Sequence, residues 1–145
     1  MGDPEEKLDQ QLAVERLNAA LRLQYRSALQ YSLTAASLAG IEAQALGTKL
    51  TGFGDEELAD ARRLVEKIVS FGGEPTTEVA ELRFDAAAAD AIRYLAECEE
   101  ATVEALQEAI EPTGRDGRSE ALEHLMEHLI LRKQHQVDYL RRAVS

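Results

Sequence analysis

An all-α four-helix bundle is the fold predicted by this 145-residue sequence, and three observations predict it. Apolar residues recur at helical spacing through four long stretches, no stretch alternates with period two, and β-branched residues are few. An apolar content of 45% over this length supplies one core without a disulfide or metal staple, so a single domain over residues 1–145 is expected.

The first helix is expected to open in "MGDPEEKL", with Asp3 as N-cap, Pro4 at the first helical position and Glu6 closing a capping box, and to run to about Leu38. Gly40 interrupts the period. A second helix follows from about Glu42 to Phe71, weakened early by Gly52 and Gly54 and ended by Gly72, Gly73 and Pro75. The third starts after a cap at Asp85 and continues through "AAAADAIRYLAECEEATVEALQEAI" to Glu111 and Pro112. The fourth covers roughly Ser119 to Ala143. Residues 72–84 are the longest connection and reach roughly 43 Å at about 3.3 Å per residue. A 27-residue helix is about 40 Å long, so this segment is long enough to cross the bundle and set helices two and three parallel. Length alone leaves open an up-and-down bundle with a loose loop.

A net charge of −11 with no run of Lys or Arg argues against nucleic acid, because phosphate binding needs a basic face. Cys98 is the single cysteine, so no intrachain disulfide forms; no export signal or membrane span is seen, and a cytoplasmic location is expected. In helix four, Leu122, Leu125, Met126, Leu129, Val137, Leu140 and Val144 form the apolar stripe. His124, His128 and His135 fall on roughly the opposite side. The i, i+4 pair His124/His128 is spaced to clamp a metal at a subunit contact, but histidines on a solvated face are usually without special role, and structural metals want four ligands.

Polar residues interrupt each stripe. Lys133 lies near the middle of the fourth, with Gln136 beside it. Gln24 shares a face with Leu17, Leu21, Ala28 and Tyr31; Glu57 lines up with Leu50, Leu64 and Ile68, with Asp60 at its i+3 edge; Glu99 lies among Ile92, Leu95, Val103 and Leu106. A lysine almost never occupies such a position unpaired. Four helices that each place a polar group mid-stripe can converge on one buried polar centre, the arrangement of carboxylate-bridged di-metal bundles.

At these residues the sequence resembles the bacterioferritin branch of the ferritin-like superfamily over nearly its whole length. "LNAALRLQYRSALQYSL" is similar to that family's first helix, "DARRLVEKIVSFGGEP" to the end of its second, "LQEAI" to the end of its third, and "HQVDYL" to its fourth. The resemblance implies a ferritin-like bundle with one long crossover and a di-iron centre built from one Glu, a Glu-x-x-His, a second Glu and a second Glu-x-x-His. Those positions are occupied here by Gln24, then Glu57 with Asp60, then Glu99, then Lys133 with Gln136. Both nitrogen ligands are missing and an ammonium replaces a carboxylate.

An ammonium and a dication repel strongly in so small a site. The expectation is therefore a relic: Lys133 occupies the space of the metal pair and is neutralised by Glu57 and Glu99, with Gln24 and Gln136 supplying hydrogen bonds. The competing expectation keeps one weakly held divalent cation, iron or another, at Glu57, Asp60 and Glu99, with Lys133 turned away. No metal at full occupancy is expected, and no haem, because the Met that holds it in the family is replaced by Leu58. Tyr31 resembles the tyrosine beside the family's metal site and reads as a core aromatic whose hydroxyl joins the polar network. Cys98 receives no role. The chain ends at Ser145 without the fifth helix that closes contacts in the family's cage, so the expected assembly is a homodimer through the outer faces of the first two helices, or a silent partner of an active ferritin-like subunit. The functional expectation is a ferritin-like protein related to iron storage and oxidation but lacking ferroxidase activity; if active, it would be a ferroxidase-type oxidoreductase. The alternatives are a helical scaffold without metal chemistry and, last, histidine phosphotransfer.

Overall fold

The structure is a computed structural model that describes residues 9–110 and 117–145. It contains four helices, α1 (Gln10–Ser37), α2 (Ile41–Ser70), α3 (Ala88–Ile110) and α4 (Gly117–Ala143), as the apolar periodicity predicts. Asp9 caps α1, its carboxylate accepting from the backbone N–H of Leu12 at 3.0 Å. The cap expected at Asp3, with Pro4 and Glu6, lies outside the described residues. Helix α2 runs unbroken through Gly52 and Gly54, and Gly54 has a packing reason. A Cβ there would stand 3.1 Å from the Tyr31 Cβ, so the missing side chain lets α1 and α2 approach closely. Gly72, at φ 79°, closes α2 where the sequence placed its end. Helix α3 starts three residues beyond Asp85, whose carboxylate accepts from Arg83 Nε at 2.8 Å, so Asp85 serves the preceding segment.

The connection from α2 to α3 is a pinned strap. Asn18 of α1 donates to the Glu74 carbonyl at 3.0 Å and accepts from the Thr76 N–H at 2.8 Å. Further along α1, the Ala80 N–H donates to the Arg22 carbonyl at 3.2 Å. The Gln30 amide then pairs with the Arg83 backbone in both directions, donating at 2.6 Å and accepting at 3.0 Å. The strap therefore climbs α1 from residue 18 to residue 30, about 18 Å of helix rise. Helix α3 returns antiparallel to α1, with Arg16 donating to the Glu108 carbonyl at one end and Tyr31 donating to Glu99 further up. Since α2 also runs antiparallel to α1, α2 and α3 are parallel, and the crossover topology holds.

The interior is divided along its length. One apolar cluster contains Leu17, Leu21, Leu64, Ile68, Leu106, Met126 and Leu129; a second contains Tyr31, Leu50, Ile92, Leu95 and Leu140. Between them lies a buried polar layer made by one or two residues from each helix: Gln24, Glu57, Glu99, Lys133 and Gln136. Among the described residues no helix is long and apolar enough to cross a membrane.

Candidate functional site

Helical phase alone carries these side chains inward, because each sits where its neighbours three and four residues away are core aliphatics. Lys133 is 0% exposed, and so are Gln24 and Glu99. The Lys133 Nζ donates to Glu57 Oε2 at 2.5 Å and to Glu99 Oε1 at 3.0 Å, so the ammonium sits between the carboxylates of α2 and α3. From one turn further along α4, Gln136 Nε2 donates to Glu57 Oε1 at 2.6 Å and to Glu99 Oε2 at 2.5 Å, which uses both hydrogens of that amide. Gln24 Nε2 donates to the Glu57 carbonyl at 2.7 Å and also to Glu57 Oε2. Tyr31 Oη donates to Glu99 Oε2 at 3.2 Å. All four helices are thus tied to the two carboxylates. The carbonyl oxygens of Gln24 and Gln136 are buried without a partner, so the layer is satisfied on its donor side and not on its acceptor side.

Charge balance explains the protonation of the layer. Burial pushes the Glu57 carboxyl up, but the Lys133 charge and the hydrogen bonds from Glu99, Lys133 and Gln136 outweigh it and hold Glu57 below its ordinary value. Glu99 is pushed up to about 8, first by burial and then by the negative charge of Glu57, against the pull of Lys133. Burial pulls Lys133 down, but Glu57 and Glu99 together hold it above its ordinary value. One ammonium balances one carboxylate, and the second carboxyl keeps its proton in a hydrogen bond to the first. Tyr31 is raised well above the usual phenol range by burial and by the charges of Glu99 and Glu57, so its hydroxyl stays neutral and donates.

Asp60 is buried at 0% exposure, one turn from Glu57, yet it faces two arginines. Its Oδ1 accepts from Arg63 Nη1 at 2.6 Å and from Arg132 Nη1 at 2.7 Å, the second contact bridging α2 to α4. Its Oδ2 has no hydrogen-bond partner, and burial raises its carboxyl above the ordinary value against the opposing charge of Arg132. Of the three residues expected to share a single cation, the structure brings Glu57 and Glu99 to one ammonium and commits Asp60 to Arg63 and Arg132. Among the described residues no three His, Cys, Asp or Glu side chains are grouped to hold a metal ion. The arginine partners were not anticipated. Arg63 had a signal in its i+3 spacing from Asp60; Arg132, adjacent to Lys133, reaches Asp60 only through the packing of α4 on α2.

The histidines lie outside this layer. His124, His128 and His135 are exposed, as their phase predicts. His128 Nε2 meets Arg132 Nη2 at 2.9 Å, while His124 Nδ1 stands 4.0 Å from a Glu127 oxygen. Leu58 is 62% exposed on the outer face of α2, and Cys98 is buried.

Comparison with known proteins places this geometry in context. Residues 14–145 match the family described as Ferritin-like domain. A ferritin-like, diiron-carboxylate protein from Bacillus anthracis superposes with a TM-score of 0.84 at 24% identity, over 94% of this chain and 98% of that one. The Desulfovibrio desulfuricans bacterioferritin, whose structure describes a diiron site, superposes with a TM-score of 0.84 at 23% identity, over 99% of this chain and 83% of that one. A dodecameric thioferritin from Bacteroides fragilis, a bacterioferritin-related protein, gives a TM-score of 0.83 at 17% identity, over 94% and 86% of the two chains. No curated protein sequence matches the chain.

Proposed function

Because the chain belongs to the family of ferritin-like domains, matched over residues 14–145, we propose that it is a bacterioferritin-like relative of the iron-storage proteins whose di-iron position is filled by its own lysine and which does not oxidise iron. The observation that carries this reading is the Lys133 Nζ, fully buried and 2.5 Å from Glu57 and 3.0 Å from Glu99.

The residues present do not fit a divalent pair. A dication roughly 4 Å from that ammonium would be repelled by about 8 kcal/mol at an effective dielectric near 20. The two positions that would supply nitrogen hold Asp60, bound to Arg63 and Arg132, and Gln136, whose amide nitrogen donates to Glu57 and Glu99. A nitrogen that donates cannot ligate. A single cation at Glu57, Asp60 and Glu99 meets the same obstacles. The layer acts instead as a charge-balanced clasp that ties four helices in register. In this reading the protein self-associates, as a homodimer, and acts as a scaffold or as a catalytically silent partner of an active ferritin-like subunit.

The test is metal content and oxygen-dependent ferrous oxidation of the purified protein beside a variant carrying Gln24→Glu, Asp60→His, Lys133→Glu and Gln136→His. The unmodified protein is expected to retain no stoichiometric iron and to oxidise ferrous ion no faster than buffer, and the variant to gain metal binding. Stoichiometric iron with rapid oxidation in the unmodified protein overturns the reading.

A further inference from the structure

The buried layer holds an amine, a carboxyl and a proton acceptor in contact and away from water. Lys133 Nζ lies 3.0 Å from Glu99 Oε1 and 2.5 Å from Glu57 Oε2, and none of the three side chains is more than 1% exposed. The second oxygen of Glu99, Oε2, accepts from Gln136 Nε2 at 2.5 Å and from Tyr31 Oη at 3.2 Å. Two donors aimed at one carboxyl oxygen stabilise the negative charge it gains when its carbon is attacked. Glu57 hydrogen-bonds both Nζ and the Glu99 carboxyl, so it touches the proton that must leave and the group that must receive one. A counter-ion needs only opposite charge; this arrangement also supplies a nucleophile, an oxyanion site and a proton shuttle.

We propose that Lys133 and Glu99 condense to an amide that joins α4 to α3 covalently. The inference rests on the reading that Lys133 fills the di-iron position, and deepens it, since the clasp then matures from an ion pair into a bond. Glu57 takes one proton from the ammonium. The freed Nζ attacks Cδ of the protonated Glu99 carboxyl as that group turns its face towards it, and Oε2 carries the developing charge against Gln136 and Tyr31. Glu57 returns its proton to the departing hydroxyl, Oε1, and takes the second proton from the nitrogen. The Nζ–Cδ bond forms, the Cδ–Oε1 bond breaks, one water leaves and Glu57 ends protonated. No oxidant, metal or cofactor enters the balance. Glu57 does not replace Glu99 as the group attacked, because it holds the charge that balances the ammonium and a carboxylate resists a nucleophile.

Burial drives the exchange. The reactants are an ion pair and a neutral acid; the products are an amide, a neutral acid and a water released to bulk, so the layer sheds both of its buried charges. Folding replaces the chance encounter of two groups by a standing contact. The same ion pair that delivers Nζ also holds its proton, so the free amine is scarce and the bond accumulates after folding rather than during it. Freshly folded protein therefore carries the paired layer described above.

Tryptic mapping and intact mass of the full-length protein test this, on fresh material and after prolonged incubation in the folded state. The aged protein is expected to be lighter by one water and to yield residues 94–115 joined to residues 133–141, the peptides that hold Glu99 and a Lys133 no longer cleaved. Water lost elsewhere, as in a succinimide at Asp116, leaves those peptides separate and overturns the proposal. Glu57→Gln keeps both bonding groups and should slow their joining roughly a hundredfold, with far-UV circular dichroism checking that the variant is folded; joining at the parent rate overturns the role of Glu57. The unmodified protein decides the bond itself whether or not that variant folds. Unchanged mass in aged protein that holds no iron overturns the cross-link and leaves the reading of the site standing, whereas stoichiometric iron in that protein overturns both.

Discussion

Replacing Lys133 with Met tests the clasp most directly, because Met preserves much of the stem volume and removes only the charge and its donors. Glu57 and Glu99 then lose the ammonium at 2.5 and 3.0 Å, and the Glu57 charge is left buried among neutral donors alone. Removing one partner of a buried ion pair costs about 3–5 kcal/mol, since the remaining charge stays uncompensated. A chain of this size holds roughly 7–20 kcal/mol in total, and each kcal/mol moves its melting temperature by about 2–4 °C. The variant should therefore melt about 6–20 °C below the parent near pH 7.5 by far-UV circular dichroism in the presence of a chelator. The sign of the pH dependence follows from the chemistry. Without the ammonium both carboxyls hold protons more tightly in the folded state than in the unfolded one, so the contribution present at low pH is lost as pH rises, and the deficit should grow from about pH 5 to about pH 8. Adding Glu57→Gln and Glu99→Gln removes the stranded charge and the titrating carboxyl beside it and should recover most of the loss. A Lys133→Met protein that melts within about 2 °C of the parent across this range would refute the charge argument.

Two further outcomes follow from the same structure. Glu99 carries a folded-state value of about 8 against an ordinary 4.5, so the folded protein holds a proton there that the unfolded chain releases. That contribution is complete below about pH 4.5 and is lost as pH rises through 8, so the slope of unfolding free energy between them should be shallower in Glu99→Gln, as urea titrations at several pH values would show. Gln30→Ala removes both hydrogen bonds to Arg83 and should cost about 1–3 kcal/mol while raising amide exchange across residues 80–84 far more than in α3.

The sequence made the polar layer legible because helical phase is a local property. Gln24, Glu57, Glu99, Lys133 and Gln136 each stand among aliphatics three and four residues away, so their burial could be read one helix at a time, and their convergence follows once four helices pack. The crossover was legible as a length, and its path was not, since Asn18 and Gln30 look like ordinary helix polar residues until the strap lies across them. Asp60 shows the limit most clearly. Its place beside Glu57 was set by spacing, but which way its carboxylate turns depended on Arg132, a residue 72 positions away on another helix. The start of α3 moved because Asp85 found a guanidinium two residues before it, a local competition between capping and ion pairing that residue type alone does not decide.

The buried lysine also changes what the fold depends on. A bundle whose central carboxylates are neutralised by bound ions gains stability by mass action and loses it when the ion becomes scarce. Here the counter-ion is a side chain, synthesised with the chain in fixed stoichiometry and delivered to Glu57 and Glu99 by folding itself. On the proposed reading the assembled core does not depend on ion supply, and the melting temperature is expected to be the same with a chelator as with added divalent metal.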